Sequence, residues 1–411
     1  MITVDNNFFD FVDNNMDKEP DKLLFSYSGK CSFDLKLAVS TIEGRKKMIK
    51  KVPEWGENRE IVYPALISVE QCSSLQTAIF KQRFFKDASL VFDLTGGLGI
   101  DSYYISKVCK EVVMFEKDSL LCAAAVHNFK VAGASNIKVQ HYDVTPTTLN
   151  SQLNKHIRSK ESISGIKVYI DPSRRKKGGK RIYSITDYEP DLLKIKADIQ
   201  KNSSQLLVKI SPMEDVSLTL KLVEGCRELY IISVNNECKE LLLLIDPDYT
   251  NVKWENVPLE AWNLKRDGQW ESLRWTIEEE TNTKVELLAP EAGMYLYEPN
   301  SSLIKGGAFK VTSERFSLGK ADKSSHLYFS KEFRSNFQGK SFKIIDIYNF
   351  GKGDLAEIRA RYPKASISVR NFPLPAEELR KKLKIEEGEE FHIFGTTLPL
   401  SQKKLIVCKK V

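Results

Sequence analysis

Histidine, cysteine and long apolar runs are scarce in this 411-residue sequence. The five histidines are scattered, none close to another, which works against a histidine metal site or a histidine-based triad. Seven cysteines, at 31, 72, 109, 122, 226, 238 and 408, are odd in number and nowhere form C-x-x-C. That usage points to reduced thiols in a cytoplasmic compartment and gives no spacing for zinc or any other metal. No uninterrupted apolar run approaches the ~18 residues that a membrane span needs; the richest, residues 241–245, is far shorter. The opening Met1-Ile2-Thr3-Val4-Asp5 has neither a basic segment nor an apolar one, so no secretion signal is expected. Internal repeats and low-complexity tracts are also missing. What remains is an ordinary globular balance, 42% hydrophobic and 28% charged. Its length suits several domains of roughly 100–200 residues each.

Charge is unevenly placed. The net charge is +7, and residues 331–411, with 17 basic and 10 acidic side chains, carry all of that excess. A second cluster is local: residues 174–181, Arg-Arg-Lys-Lys-Gly-Gly-Lys-Arg, hold six cations in eight positions. Such patches attract phosphate backbones, although a solvated loop or tail has the same composition.

The pattern of apolar residues divides the chain. Residues 1–85 read as mostly helical, with a short strand competing around 33–39 and a break at Pro53-Glu54-Trp55-Gly56. The order Ser68-Val69-Glu70-Gln71 suggests a capping box opening a helix over 69–85. From residue 88 short β-rich runs alternate with helical ones. Strands are expected at 89–94, 112–115, 137–140, 167–170, 205–210, 228–234 and 241–245. Helices are expected between them at 101–108, 120–132 and 187–201. Alternation at this spacing predicts an α/β, doubly wound parallel sheet of seven strands. The linker 235–240 is too short for a helical crossover, so the last strand must be antiparallel to its predecessor. Residues 252–330 read as mixed short strands, and four of the five tryptophans fall between 254 and 275, where a core role is expected. Beyond residue 342 the order is β-α-β-α-β-β, at 343–348, 355–361, 366–369, 376–382, 390–394 and 404–408.

The chemistry is concentrated after the strands. Val91-Phe92-Asp93-Leu94-Thr95-Gly96-Gly97-Leu98-Gly99 is an apolar strand followed by a glycine-rich turn. Glycine lets the backbone turn tightly and approach a ligand closely. Ser102 stands where the dinucleotide fingerprint needs its third glycine. Asp93 at the strand end suits a ligand with an amine. Glu116 ends the next strand, placed to bind ribose hydroxyls, and Asp143 follows the third. Asp171-Pro172-Ser173-Arg174 follows the fourth, at the carboxyl end where open α/β sheets bind ligands.

Residues 93–101 (Asp-Leu-Thr-Gly-Gly-Leu-Gly-Ile-Asp), Glu116, Asp143 and Asp171-Pro172 resemble motifs I to IV of class I S-adenosylmethionine-dependent methyltransferases. The resemblance spans about residues 69–246. More closely, Leu94–Asp101 with Asp171-Pro172-Ser173-Arg174-Arg175 is similar to a bacterial group of candidate RNA methyltransferases with ferredoxin-like and THUMP-like C-terminal domains. Tyr297-Glu298-Pro299-Asn300, Asn371-Phe372-Pro373-Leu374 and residues 378–383 carry that similarity. The resemblance implies a Rossmann-like methyltransferase sheet at 69–246, a helical region at 1–68, an α+β ferredoxin-like domain at 247–335 and a THUMP-like domain at 336–411. It implies S-adenosylmethionine as cofactor, with Thr95, Gly96, Gly97 and Gly99 around the methionine portion and Asp101 closing the motif. Asp93 would take the amine, Glu116 the ribose hydroxyls, and Asp143 would face adenine.

In amino-methylating enzymes a D/N-P-P-aromatic loop holds a planar NH2. Here Ser173 and Arg174 replace the second proline and the aromatic, and an arginine plane can stack on a base. No cysteine lies in 169–176 or 205–216, which disfavours methylation of pyrimidine carbon through a thiol nucleophile. Lys209 near the end of the fifth strand sits opposite Asp171, the arrangement of a ribose-oxygen acceptor site. The expected catalytic set is therefore Asp171, Pro172 and Lys209, with N- and O-transfer both open. Arg174, Arg175, Lys176 and Lys177 are expected to meet nucleic acid, with rRNA or tRNA as the partner and no membrane. Two other readings compete: an RNA-binding protein with a catalytically degenerate fold, and a nicotinamide or flavin oxidoreductase, which Ser102 and the antiparallel last strand disfavour.

Overall fold

A computed structural model describes residue 2 and residues 4–157, 162–174, 185–249 and 251–411, with the main chain alone at 174 and 187. The chain divides into two compact units: Met1–Arg227 with Leu241–Val252, and Glu228–Glu240 with Lys253–Val411.

The first unit opens with six helices: α1 (Asn6–Asn14), α2 (Pro20–Tyr27), α3 (Leu35–Lys51), α4 (Pro53–Gly56), α5 (Leu66–Gln71) and α6 (Leu75–Phe85). Helix wins over strand at 33–39 because the Asp34 carboxylate caps α3, accepting from the Leu37 N–H at 3.0 Å. Pro53 then ends that helix and starts the next at its first position, where a missing N–H costs nothing. The helix expected over 69–85 is broken in two. Ser68 caps nothing; α5 starts after Ala65, and Ser74 caps α6 by accepting from the Thr77 N–H. The kink at Cys72–Ser74 brings Ser73 to the cleft described below.

Strand and helix then alternate: β1 (Leu90–Asp93), α7 (Ile100–Ser106), β2 (Val112–Glu116), α8 (Ser119–Val131), β3 (Ile137–His141), α9 (Leu149–His156) and β4 (Ile166–Ile170). A small antiparallel ribbon follows, β5 (Ser173–Arg174) with β6 (Tyr188–Glu189). Next come α10 (Leu192–Asn202), β7 (Gln205–Ile210), α11 (Val216–Leu222), β8 (Cys226–Val234) and β9 (Glu237–Ile245). Within this unit the sheet order is β3-β2-β1-β4-β7-β9, parallel throughout except for β9 against β7. β1 is buried at all four positions, as a strand covered on both faces must be. The reversal from β8 into β9 takes two residues, Asn235 and Asn236, rather than six. Both have positive φ (52° and 64°), which asparagine tolerates in a tight hairpin.

The helical start is locked to α8 by a side-chain amide. Asn128, fully buried, accepts from the Val62 N–H at 3.0 Å and donates to the Val62 carbonyl at 2.9 Å.

In the second unit β8 runs parallel to β10 (Leu259–Leu264), which pairs antiparallel with β11 (Trp270–Trp275). Two strands therefore accompany β8 beyond the seven counted from the sequence. Of the four tryptophans expected in the core, Trp275 is buried, whereas Trp254, Trp262 and Trp270 are half-buried. The stretch read as strands also holds helices: α12 (Ile277–Asn282), then β12 (Tyr295–Pro299), α13 (Ser301–Gly306), α14 (Lys310–Arg315), β13 (Gly319–Lys320) and β14 (Tyr328–Ser330). β15 (Gly339–Asn349), α15 (Lys352–Arg361), β16 (Ser366–Arg370), α16 (Ala376–Leu383), β17 (His392–Leu398) and β18 (Gln402–Lys410) follow in the order anticipated. Seven strands form one sheet, β13-β14-β12-β15-β18-β17-β16. Glu298 on β12, almost fully buried, faces Arg370 on β16 and Lys340 on β15, so an ion-pair network ties the two halves of this sheet. No helix among the described residues is long and apolar enough to cross a membrane.

Removing the Asn128 amide would leave a buried donor and a buried acceptor at Val62 unpaired, each worth about 1–3 kcal/mol. Asn128→Ala should destabilise the first unit by at least about 2 kcal/mol, seen as faster hydrogen exchange at the Val62 amide; unchanged protection there would show that the amide is not the lock.

Candidate active site

The carboxyl ends of β1, β2 and β4 open onto a cleft of about 990 Å³ that continues into solvent. Its floor is the loop 94–99, and its walls include Ser73, Phe115, Glu116, Tyr142, Asp143, Tyr169, Asp171, Ser173 and Pro190. Adjacent parallel strands end at the same level, so the acids that close them converge.

Two glycines set the loop's path, with φ +54° at Gly97 and +88° at Gly99. A Cβ at Gly99 would meet the Phe129 ring at 2.6 Å, so that position must stay bare for packing. A Cβ at Gly97 would meet nothing within 4 Å; this glycine keeps open space above the loop. The Gly97 N–H donates to Glu116 Oε2 at 2.7 Å, and the Asp118 N–H donates to Oε1 at 2.8 Å. Glu116 is thus fixed by one N–H on each oxygen, and a carboxylate oxygen can accept a second hydrogen bond. Phe115 and Val144 are buried apolar surface beside it, while Asp143 is exposed at the rim.

Asp93 lies deeper, 1% exposed. It accepts from the Thr95 N–H at 3.0 Å and from the Ser102 hydroxyl at 2.6 Å. Burial pushes its carboxyl up to about 7, against the lowering effect of those two hydrogen bonds. Expected from the sequence to meet a ligand amine, Asp93 lines the cleft and also holds the loop through these two hydrogen bonds. Thr95 passes the connection on, since its hydroxyl accepts the Asp171 N–H at 2.6 Å.

Asp171 is paired with Lys209, Nζ to Oδ2 at 2.5 Å, across the ends of β4 and β7. Pro172 is buried beside it. Asp101, placed with the cofactor loop from the sequence, turns to a different set of partners. Its Oδ2 accepts from Ser73 Oγ at 2.8 Å and Tyr169 OH at 2.7 Å, and Lys81 Nζ lies 3.3 Å from Oδ1. Burial by itself would raise this carboxyl; Lys81, Lys209 and the two hydroxyls outweigh it and hold Asp101 below the usual carboxylate range.

Ser173 and Arg174 form β5, where Arg174 pairs through its main chain with Tyr188. The Tyr188 hydroxyl donates to the buried Glu214 at 2.9 Å and accepts the Ser211 N–H at 3.3 Å, which anchors the ribbon to the loop after β7. Arg175, Lys176 and Lys177 lie outside the described residues. Among residues the sequence reading left out are Ser73, Lys81 and Tyr169. Tyr169 had a signal, since it lies two positions before Asp171 and so on the same strand face. Ser73 and Lys81 had none, because nothing local ties them to residues 101 or 171.

The raised Asp93 carboxyl carries a pH signature. Its ordinary value of 3.8 moves to about 7 in the folded chain, so the native state holds the proton more tightly. The resulting stability is fully present below about pH 4 and is lost as the pH rises through about 7. Asp93→Asn, which titrates nothing there, should flatten this dependence by about 4 kcal/mol between pH 4 and 8. Urea unfolding across that range, followed by hydrogen exchange in β1, measures it; parallel curves for parent and variant would refute the assignment.

Comparison with known proteins agrees with this architecture. Residues 295–337 match a family described as a ferredoxin-like domain, and residues 339–410 match one described as THUMP domain-like. No curated protein matched the chain. Among solved structures, a candidate methyltransferase from Porphyromonas gingivalis W83 is 29% identical, with 100% of both chains covered and a TM-score of 0.87. An rRNA methylase from Streptococcus thermophilus is 17% identical over 42% of this chain and 94% of its own, at a TM-score of 0.29. SMU.1697c from Streptococcus mutans, solved with SAH, is 13% identical over 42% and 95%, also at 0.29. The last two are too distant for residue-by-residue correspondence. The full-length match and the two C-terminal domains agree with the strand order and the glycine loop: the chain joins a class I methyltransferase fold to ferredoxin-like and THUMP-like domains.

Proposed function

We propose that this protein is an S-adenosylmethionine-dependent methyltransferase acting on RNA, rRNA or tRNA, at a base amino group or a ribose oxygen. The observation that carries the reading is the Lys209–Asp171 pair, joined through Thr95 to a glycine loop that keeps open space above Gly97. Cofactor and acceptor elements are thereby one connected structure.

The residues fit the cofactor. Glu116 has hydrogen-bonding capacity left on both oxygens for a pair of ribose hydroxyls. Thr95, Gly96 and Gly97 would hold the methionine portion, Phe115 and Val144 would cover an adenine face, and Asp143 would meet its edge. When bound, the cofactor supplies a methyl group activated on a sulfonium. Asp171, Pro172 and Lys209 would orient the acceptor, and the Asp171–Lys209 pair would take up or relay its proton. Alignment of the reacting atoms supplies most of such a rate enhancement, with a positioned acid–base pair adding to it. RNA as the partner is supported by the THUMP-like match and by the cationic excess in residues 331–411. Arg174 to Lys177, next in the sequence after the acceptor residues, would add contacts to the RNA's phosphates. The degenerate-fold alternative rests on Ser173 and Arg174, but the Lys209–Asp171 pair argues for chemistry.

Two measurements test this. By calorimetry Gly97→Val should abolish S-adenosylmethionine binding, and Glu116→Ala should weaken it by about 1–3 kcal/mol, the worth of hydrogen bonds to a charged group. Unchanged affinity in both would end the cofactor assignment. With labelled cofactor and total RNA from a strain lacking the protein, the parent should transfer methyl groups. Asp171→Ala should keep cofactor affinity within a few fold and lower transfer about 10²-fold or more. Equal transfer would remove Asp171 from the mechanism, and no transfer by the parent would favour the degenerate reading.

A further inference from the structure

Behind the Lys209–Asp171 pair lies a second pair of opposite charges, Lys81 and Asp101. Lys81 comes from α6 and is fully buried. A buried ammonium persists when it is paired and hydrogen-bonded. The two pairs meet at one hydroxyl. Ser73 Oγ donates to Asp101 Oδ2 at 2.8 Å, accepts from Lys81 Nζ at 3.1 Å, and has Lys209 Nζ at 3.5 Å, the long end of a hydrogen bond.

A serine hydroxyl has one proton to give and two lone pairs to fill. An ammonium can only donate and an ionised carboxylate can only accept. Ser73 therefore has a single consistent arrangement: its proton on Asp101, one lone pair toward each lysine. Asp101 in turn is held from a third side by the Tyr169 hydroxyl at 2.7 Å. Lys81 matters because Lys209 stands between two carboxylates. With Lys81 neutralising Asp101, Lys209 is left for Asp171; without it, Asp101 would compete for Lys209 and draw it away from the acceptor loop.

We propose that Ser73, at the wall of the cleft, and Lys81, fully buried behind it, are positioning residues of the acceptor site, holding the Lys209 ammonium against Asp171. This deepens the methyltransferase reading and rests on it for its catalytic consequence. The positional claim itself stands on geometry alone.

The test uses the full-length protein and separates the two. Lysine ammonium groups shielded in ion pairs are observable by nitrogen–hydrogen correlation NMR, and the Lys209 signal is assigned by its loss in Lys209→Arg. In Ser73→Ala and in Lys81→Met the Lys209 signal should shift or broaden through faster exchange with water, while Ser73→Thr should restore it. Lys81→Met leaves Asp101 buried without its cation; if that chain does not fold, Lys81→Met combined with Asp101→Asn removes both charges, and the Ser73 variants carry the measurement. An unchanged Lys209 signal in Ser73→Ala overturns the proposal, whatever the protein's activity. With labelled cofactor and the same RNA, Ser73→Ala should lower kcat for transfer tenfold or more, and Ser73→Thr should recover most of it. Parent-level kcat in Ser73→Ala would likewise overturn the proposal. Failure of the parent to transfer methyl groups would count against the function reading, leaving the NMR result to decide the frame.

Discussion

A buried carboxylate at the end of β1 holds the cleft together. Asp93 fixes the glycine loop by accepting from Thr95 and Ser102, and Thr95 passes the constraint to the main chain of Asp171. Asp171 passes it to Lys209, and the loop's far side is tied at Gly97 to Glu116. Strands β1, β2, β4 and β7 thus have their carboxyl ends laced by short hydrogen bonds. A displacement of the loop would disturb the acceptor residues as well.

Parallel strands make this arrangement easy to build and electrostatically costly. Their carboxyl ends gather Asp93, Glu116 and Asp171 at one edge, with Asp101 close by on α7. Taking several carboxylates out of water is unfavourable unless each is paired or hydrogen-bonded. The chain meets the cost differently at each acid. Backbone N–H groups serve Glu116, a lysine serves Asp171, and a lysine with two hydroxyls serves Asp101. Asp93 has two neutral donors and stands at about 7, so burial is least compensated there.

The second unit is built around a different ionic tie. Tyr297-Glu298-Pro299-Asn300 forms the end of β12 and the cap of α13, where the Asn300 side chain accepts from the Leu303 N–H at 3.0 Å. Glu298 reaches Arg370, one residue before Asn371 of the second motif. The first of the two motifs that carry the resemblance in this half of the chain is therefore tied to the residue just before the second. Matches at 295–337 and 339–410 fall on strands of one continuous sheet, so the two domains share their hydrogen-bonded framework.

Much of this was written locally in the sequence. Strand, glycine turn and helix are fixed by neighbours within a few residues, so β1, its loop, Glu116 and the antiparallel β9 could be read from spacing. The C-terminal β-α-β-α-β-β order was equally legible. Local rules misled where two local signals competed. The box at Ser68 looked complete, but Ser74 offered a second cap, and it is Ser74 that caps α6. Asp93 could be placed at the end of β1 from the sequence, but its depth could not, because its position along the chain does not record what packs around it. What the tertiary structure alone decided was which groups share a charge. Ser73 lies 28 residues from Asp101 and 136 from Lys209, yet one hydroxyl serves both. Such pairings follow from desolvation and from donor and acceptor counts in three dimensions, and no periodicity along the chain records them.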